Sequence, residues 1–239
     1  WYFHMHTWDY EQTEQQLNAW RAIVKKHPEI KAQKWFLVHE DGAYGVTTYS
    51  NHQAAFPKDW TLKGVDFKSI AVGGTGDYRM ALKRAQEFRP DVFLWVGYEA
   101  DALPLTRQLQ ESGYKPPILA GMPPGWPSDF GKESLAEGVC IYDAWLPTLK
   151  IKNPHHKDFL DTYRSKYNED PESYFPPLAY TSILVLADGL KRAGSVESNA
   201  LIAALEKTRF PTLFDTTVTF APSRIIKHHN SSRMRWMSE

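Results

Sequence analysis

The stretch Trp-Phe-Leu-Val-His-Glu-Asp-Gly-Ala-Tyr-Gly, residues 35–45, decides the fold of this chain. Its first half is an apolar run bounded by turn residues, which is typical of a buried β-strand. Its second half is a short loop that carries one large side chain, Tyr44. Two further apolar runs have the same arrangement: residues 91–96 precede Gly97-Tyr98-Glu99, and residues 117–120 precede a loop that contains Met122, Pro123 and Trp126.

Helical patterns separate these strands. Apolar residues at helical spacing predict helices over residues 11–27, 44–56, 78–88 and 100–112, while residues 61–72 and 139–142 read as two further strands. An alternation of strands and helices predicts an α/β fold with a parallel sheet. In such sheets ligands bind outside the carboxyl ends of the strands. We therefore expect Tyr44, Tyr98 and the loop from Met122 to Trp126 to meet at one edge and to form a small-molecule site.

The composition excludes several classes of function. Lys plus Arg equals Asp plus Glu at 28 each, and no basic run marks a nucleic-acid or lipid surface, so we expect no nucleic-acid partner. No run approaches the roughly 20 apolar residues that a membrane-spanning helix needs. The single cysteine, Cys140, lies in an apolar run and is interpreted as a buried thiol. The chain opens at Trp1 without a signal-peptide pattern, and we expect further chain upstream.

A glycine cluster, Gly73-Gly74-Thr75-Gly76-Asp77, precedes the helix over residues 78–88. It invites comparison with a phosphate-binding loop, but it lacks the spacing of that motif and a following lysine. It also places an acid where a phosphate needs positive potential. We interpret Asp77 as an N-cap that accepts the free amides of the first helical turn.

After Pro147 the pattern changes to three successive helices without strands between them. They are predicted over residues 157–167, 176–192 and 198–207, which puts a lobe boundary near residues 143–150. The stretch from Leu178 to Leu190 is apolar on most sides, a composition that suits a helix covered on both faces. The sequence offers little to cover it.

Several short motifs occur together in a particular order: Glu40-Asp41-Gly42-Ala43-Tyr44-Gly45, Gly76-Asp77-Tyr78, Arg89-Pro90-Asp91-Val92-Phe93, Gly97-Tyr98-Glu99, Leu109-Gln110-Glu111-Ser112-Gly113 and Ala136-Glu137-Gly138-Val139. Their order and spacing resemble the type I periplasmic solute-binding proteins, in the branch that serves transporters of branched-chain amino acids, amides, urea and aromatic acids. Asp170-Pro171 and Tyr180 extend the resemblance, which covers most of residues 1–208.

The resemblance implies two Rossmann-like lobes that trap a ligand between them as they close. On that template residues 1–7 are a crossing strand, residues 8–149 the second lobe, residues 150–208 the helical part of an incomplete first lobe, and residues 209–239 a crossover back to the second lobe. The opening half of the first lobe has no counterpart here. The hydroxyl-bearing loop that holds the ligand carboxylate in relatives is absent with it.

The resemblance also implies site residues. Tyr44 and Tyr98 match positions where relatives press aromatic rings on the ligand, and Phe175 matches a first-lobe position that can face the cleft. Amino-acid binders place an acid after the strand that here is 117–120, to pair with the ligand ammonium, whereas this chain has Met122 and Pro123. Burial of an ammonium without a carboxylate is costly. The change argues against an ordinary α-amino acid unless Glu99 or Asp101 takes that role.

We therefore expect an extracytoplasmic binding protein that takes no cofactor and delivers a small organic ligand to a membrane permease of an ABC transporter. No catalytic motif calls for an enzyme. His4 and His6, two apart on a predicted strand, and His228 and His229 have no carboxylate at ligand spacing, so no metal site is expected. Two alternatives stay open: a ligand-sensing domain of a receptor or regulator, and a nucleotide-using α/β enzyme.

Overall fold

The computed structural model describes residues 1–122, 125–126, 130–143, 145, 150–171, 173–214, 216–222 and 229–232. The chain forms two compact units. The first, here called the sheet unit, is residues 9–143, and the second, the helical unit, combines residues 1–8 with residues 144–239. Among the described helices, none is long and apolar enough to cross a membrane.

The chain opens with β1 (Tyr2–His4), which belongs to the helical unit, and then enters the sheet unit. The elements of the sheet unit are α1 (Asp9–Lys26), β2 (Lys34–Glu40), α2 (Ala43–Ala55), β3 (Thr61–Phe67), α3 (Arg79–Phe88), β4 (Val92–Val96), α4 (Glu99–Glu111), β5 (Ile118–Gly121) and β6 (Val139–Ile141). The five strands form one parallel sheet in the order β3-β2-β4-β5-β6. The predicted α/β fold with a parallel sheet is confirmed.

The central strands are buried on both faces, as parallel strands between two helical layers must be. All five residues of β4 are buried. On one face Trp35 and Leu37 of β2 pack with Leu17 of α1. On the other face Phe93 and Trp95 of β4 pack with helices α3 and α4.

Two sequence interpretations need correction. Strand β3 ends at Phe67, not at Val72, because Ile70–Val72 forms a turn of 3₁₀ helix. The Ser69 side chain accepts the Ala71 amide at 3.1 Å and caps that turn. Cys140 is exposed rather than buried, because β6 is an edge strand that pairs only with β5 among the described residues.

The helical unit contains α5 (Pro154–Tyr167), α6 (Phe175–Ala193), α7 (Ser198–Glu206), β7 (Phe210–Pro211), β8 (Thr217–Val218), β9 (Phe220–Pro222) and β10 (His229–Ser232). Strand β1 pairs with β10, which also pairs with β9. Trp145, Phe159, Val185 and Leu205 contribute to its core. The opposite face of α6 is apolar yet open, with Ile183 65% and Leu186 40% exposed, as its sequence led us to expect.

A buried polar cluster joins α1 to α2 within the sheet unit. The His52 ring is fully buried, with Nδ1 2.8 Å from the Thr48 carbonyl and Nε2 2.9 Å from the side-chain amide group of Gln16. Burial lowers the pKa of His52 from 6.5 to about 4. The imidazole is therefore neutral in the folded protein at neutral pH.

This shift predicts that the protein loses stability in mild acid. The unfolded chain takes up the proton near pH 6.5 and the folded chain only near pH 4, so the contribution is complete above pH 6.5 and is lost as the pH falls from 6.5 to 4. Between pH 7.0 and 4.5 the loss amounts to about 2 kcal/mol of unfolding free energy. Urea unfolding at pH 7.0 and 4.5 measures it. The variant His52→Gln should have the shallower dependence, and the exposed control His27→Gln should match the wild type; equal slopes in all three proteins would contradict the assignment.

Candidate functional site

The sheet order places a crevice between β2 and β4. The chain passes from β2 to β3 on one side and then returns to place β4 on the other side of β2. The loops that follow β2 and β4 therefore leave the sheet in opposite directions. This switch point, at the carboxyl ends of the strands, is where open α/β sheets bind ligands.

Tyr44 and Tyr98 lie at this switch point. Tyr44 is in the first turn of α2 and Tyr98 is the residue that precedes α4. Their ring centroids are 5.9 Å apart with 46° between the planes, and both side chains are half-buried. The structure thus brings together the two aromatic residues that the sequence singled out, and leaves each ring partly accessible.

Glu40, which the sequence analysis did not single out, fixes the loop that carries Tyr44. It is the last residue of β2 and is buried, and its two carboxylate oxygens accept the amides of Gly42 and Gly45 at 2.5 Å each. A side chain at position 45 would meet the Glu40 carbonyl at 2.1 Å, so only glycine fits there. The signal was available in the sequence, because a carboxylate beside the start of a helix is a common partner for its free amides.

The hydroxyl of Tyr98 lies in a negative environment. Burial raises the pKa of Tyr98, and the nearby carboxylates of Glu40 and Asp9 raise it further. The phenol is therefore protonated at neutral pH and can donate a hydrogen bond. The crevice offers apolar ring faces together with hydroxyl and carboxylate groups.

The described side chains after β5 are buried in the sheet unit, whereas the sequence led us to expect them at the carboxyl edge. Met122 is buried, and the Trp126 ring stacks on Phe130 with centroids 5.3 Å apart. The Trp126 indole donates to Thr106 Oγ1 at 3.4 Å. Both side chains belong to the core of the sheet unit rather than to its surface. Pro123 lies outside the described residues.

The two acids that could replace the missing ammonium partner differ in accessibility. Asp101 is fully buried and its carboxylate accepts hydrogen bonds from Ser69 Oγ, the Ile70 amide and the Tyr78 hydroxyl, at 2.5, 2.8 and 2.5 Å. It is engaged in holding the loop after β3. Glu99 is half-buried at the first position of α4, beside Tyr98.

Phe175 and Tyr142 are two further aromatic residues, one in each unit. Phe175 begins α6 in the helical unit, is 49% exposed and lies 4.3 Å from the Tyr174 ring. Tyr142 follows β6 and was missed because the sequence interpretation placed it inside that strand. Its hydroxyl donates to Gln15 of α1 at 3.5 Å, and burial raises its pKa.

The glycine cluster lines a pocket together with Lys68 and Arg84, but an acid, Asp77, lies at the start of the helix that follows. The carboxylate of Asp77 accepts the Arg79 amide at 3.1 Å and pairs with the Arg79 guanidinium at 2.6 Å. Arg79 lowers the pKa of Asp77 to about 2. Tyr78, rather than Asp77, occupies the N-cap position of α3, although Asp77 satisfies the first amide as expected. No group of three potential metal ligands occurs in the described part of the chain.

A parallel α/β sheet with an aromatic pair at its switch point is an architecture on which small-molecule sites are commonly built. The family model described as periplasmic binding protein matches residues 1–238. The chain belongs to this family.

Curated relatives have similar sequences. A Leu/Ile/Val-binding protein homolog 7 of Brucella abortus (strain 2308) is 25% identical over 182 residues, covering 74% of this chain and 45% of the relative. A Leu/Ile/Val-binding protein homolog 3 of Brucella melitensis biotype 1 is 27% identical over 175 residues, covering 73% of this chain and 46% of the relative. The chain thus spans about half the length of the curated relatives it matches.

Solved structures share the fold. A leucine-binding protein of Thermotoga maritima superposes with a TM-score of 0.71 at 21% identity, over 86% of this chain and 58% of that one. A solute-binding protein of an ABC transporter from Rhodopseudomonas palustris, in complex with 3,4-dihydroxybenzoic acid, superposes with a TM-score of 0.68 at 18% identity, over 89% of this chain and 57% of that one. Because the identities are low, these structures show the common fold and not a common ligand.

Proposed function

We propose that this chain is part of an extracytoplasmic solute-binding component of an ABC transporter. It captures a small organic ligand by closure of two lobes and presents it to the membrane permease, without changing it chemically. The observation that carries this proposal is the pair of half-buried rings of Tyr44 and Tyr98 at the switch point of the sheet. Membership of the periplasmic binding protein family supports it.

The ligand class follows from the side chains at the carboxyl edge. The loop after β5 has Met122 where amino-acid binders of the resembled branch have an acid, and Asp101 is engaged by three internal donors. The rings of Tyr44 and Tyr98 offer flat contact surfaces to a planar ligand. We propose a compact aromatic or apolar carboxylate or amide in preference to a simple α-amino acid. Tyr44, Tyr98 and Glu99 are the proposed contacts from the sheet unit, and Phe175 is the proposed contact from the helical unit.

A thermal-shift comparison of matched compounds tests this function. L-leucine, benzoate and benzamide are each added to the protein, and the midpoint of unfolding is recorded. We expect one of the aromatic compounds to raise the midpoint in a saturable manner and leucine to raise it less, because binding to the folded state stabilises it by mass action. A larger shift with leucine would contradict the ligand class. The absence of a saturable shift with all three compounds would contradict a binding function for ligands of this size.

A further inference from the structure

A pocket of about 370 Å³ lies at the carboxyl end of β3, which pairs only with β2 among the described strands. This volume is within the range of small-molecule sites. The lining residues come from three neighbouring segments: residues 65–68 of β3 and its end, residues 73–75 and 77 of the glycine cluster, and residues 80, 81 and 84 of α3. The pocket shares no residue with the aromatic pair at the switch point.

The side of the pocket that the glycine cluster forms is held in one shape by α4. The Gln108 side chain accepts the Tyr78 amide at 2.8 Å through Oε1 and donates to the Gly76 carbonyl at 2.6 Å through Nε2. A side chain at position 74 would meet the Lys68 carbonyl at 1.9 Å, so only glycine fits there. The shape of the pocket is therefore set before any ligand arrives.

Two of the residues that line the pocket, Lys68 and Arg84, are cationic and exposed. Within the described residues, neither side chain forms an ion pair or a hydrogen bond. The acid Asp77 is neutralised by Arg79, whose guanidinium donates to both carboxylate oxygens at 2.8 and 2.6 Å. The charge of Asp77 therefore does not offset the two cations.

The other acid that lines the pocket, Asp66, directs its side chain to the opposite face of the sheet. Successive side chains of a strand point to alternate faces. Val65 and Phe67 pack on the face that α3 covers, whereas Leu62, which shares its face with Asp66, packs on the side of α1 and α2. The pocket thus combines a net positive charge with apolar side chains from β3 and with the exposed Met80 of α3.

We propose that this pocket binds a compact organic monoanion, a carboxylate with a short hydrocarbon chain. The planar guanidinium of Arg84 can bind a carboxylate through two N–H groups, and Lys68 adds a second positive charge. The hydrocarbon chain would cover Val65 and Met80. A nucleotide polyphosphate suits the pocket less well, because Asp77 lies at the start of α3. This site does not depend on the function proposed above.

Titration with butyrate at constant ionic strength tests the proposal, with the backbone amide NMR signals of residues 73–75 as the readout. These signals should move to saturation with butyrate and much less with butyramide, which has the same chain without the charge. Arg84→Ala and Lys68→Ala should each weaken butyrate binding about three- to tenfold, the scale of a partly exposed charge-assisted contact. Both side chains are exposed, so the fold should be unaffected.

Lys83→Ala is the matched control, because it removes an exposed cation from α3 that does not line the pocket. It should bind butyrate as the wild type does. Three results would each overturn the proposal: no saturation of these signals with butyrate, equal binding of butyramide and butyrate, or equal butyrate affinity in Arg84→Ala and Lys83→Ala. None of them bears on the site at Tyr44 and Tyr98.

Discussion

Asp101→Ala should destabilise the protein more than any change at the ligand site. The substitution removes the acceptor of three donors: the buried hydroxyls of Ser69 and Tyr78 and the partly buried amide of Ile70. Loss of one member of a buried, hydrogen-bonded charged network costs about 3–5 kcal/mol of unfolding free energy. Urea unfolding at pH 7 measures the change as a lower transition midpoint.

Tyr78→Phe provides a graded control for that experiment. It removes one of the three donors and leaves Asp101 with the other two, so the loss should be about 1–2 kcal/mol. Asp59→Ala, at an exposed acid, should have almost no effect. If Asp101→Ala unfolds at the wild-type midpoint, the carboxylate is not structural, and its availability to a ligand would have to be reconsidered.

Tyr44→Ala combined with Tyr98→Ala should remove most of the ligand affinity while the fold remains intact. Each ring contributes about 0.5–1.5 kcal/mol as an aromatic contact beyond the area it buries, so each single variant should lose several-fold and the double variant tenfold or more. Tyr44 lies in the first turn of α2 and Tyr98 directly precedes α4, so both are at the edge of the sheet rather than within its strands. The probe is benzamide or benzoate, whichever binds the wild type more tightly. Its dissociation constant is measured by calorimetry for each variant.

Tyr167→Ala is the control for the aromatic pair, because Tyr167 is a tyrosine of the helical unit that is 52% exposed. This variant should bind the same compound with the affinity of the wild type. Unchanged affinity in the double variant, with an unfolding midpoint like that of the wild type, would remove Tyr44 and Tyr98 from the site.

The sequence predicted the elements of the sheet unit because local patterns determine them. Apolar runs of four to seven residues bounded by glycine and aspartate mark strands such as β2 and β4, and the intervening segments have helical spacing. Once the order of strands and helices is known, parallel pairing and a site at the carboxyl edge follow from general rules of topology. Tyr44 and Tyr98 could therefore be brought together before their distance was known.

The errors have a different origin, because they depend on contacts between distant segments. Cys140 has apolar neighbours in sequence, but its exposure depends on β6 being an edge strand. The ring of Trp126 was expected at the surface, yet it packs over Gly121, where a side chain would meet it at 1.9 Å.

Direct observation of the tyrosine rings during ligand binding tests the site most directly. The protein is labelled with ¹³C at its tyrosine rings, and the NMR signals of the Tyr44 and Tyr98 rings are followed during a titration. The titrant is benzamide or benzoate, whichever binds the wild type more tightly. Both signals should move with one common saturation midpoint, while Tyr114, before β5 at the opposite end of the strands, should stay in place. Saturable movement of Tyr114 with no response from Tyr44 and Tyr98 would contradict a ligand site at the switch point between β2 and β4.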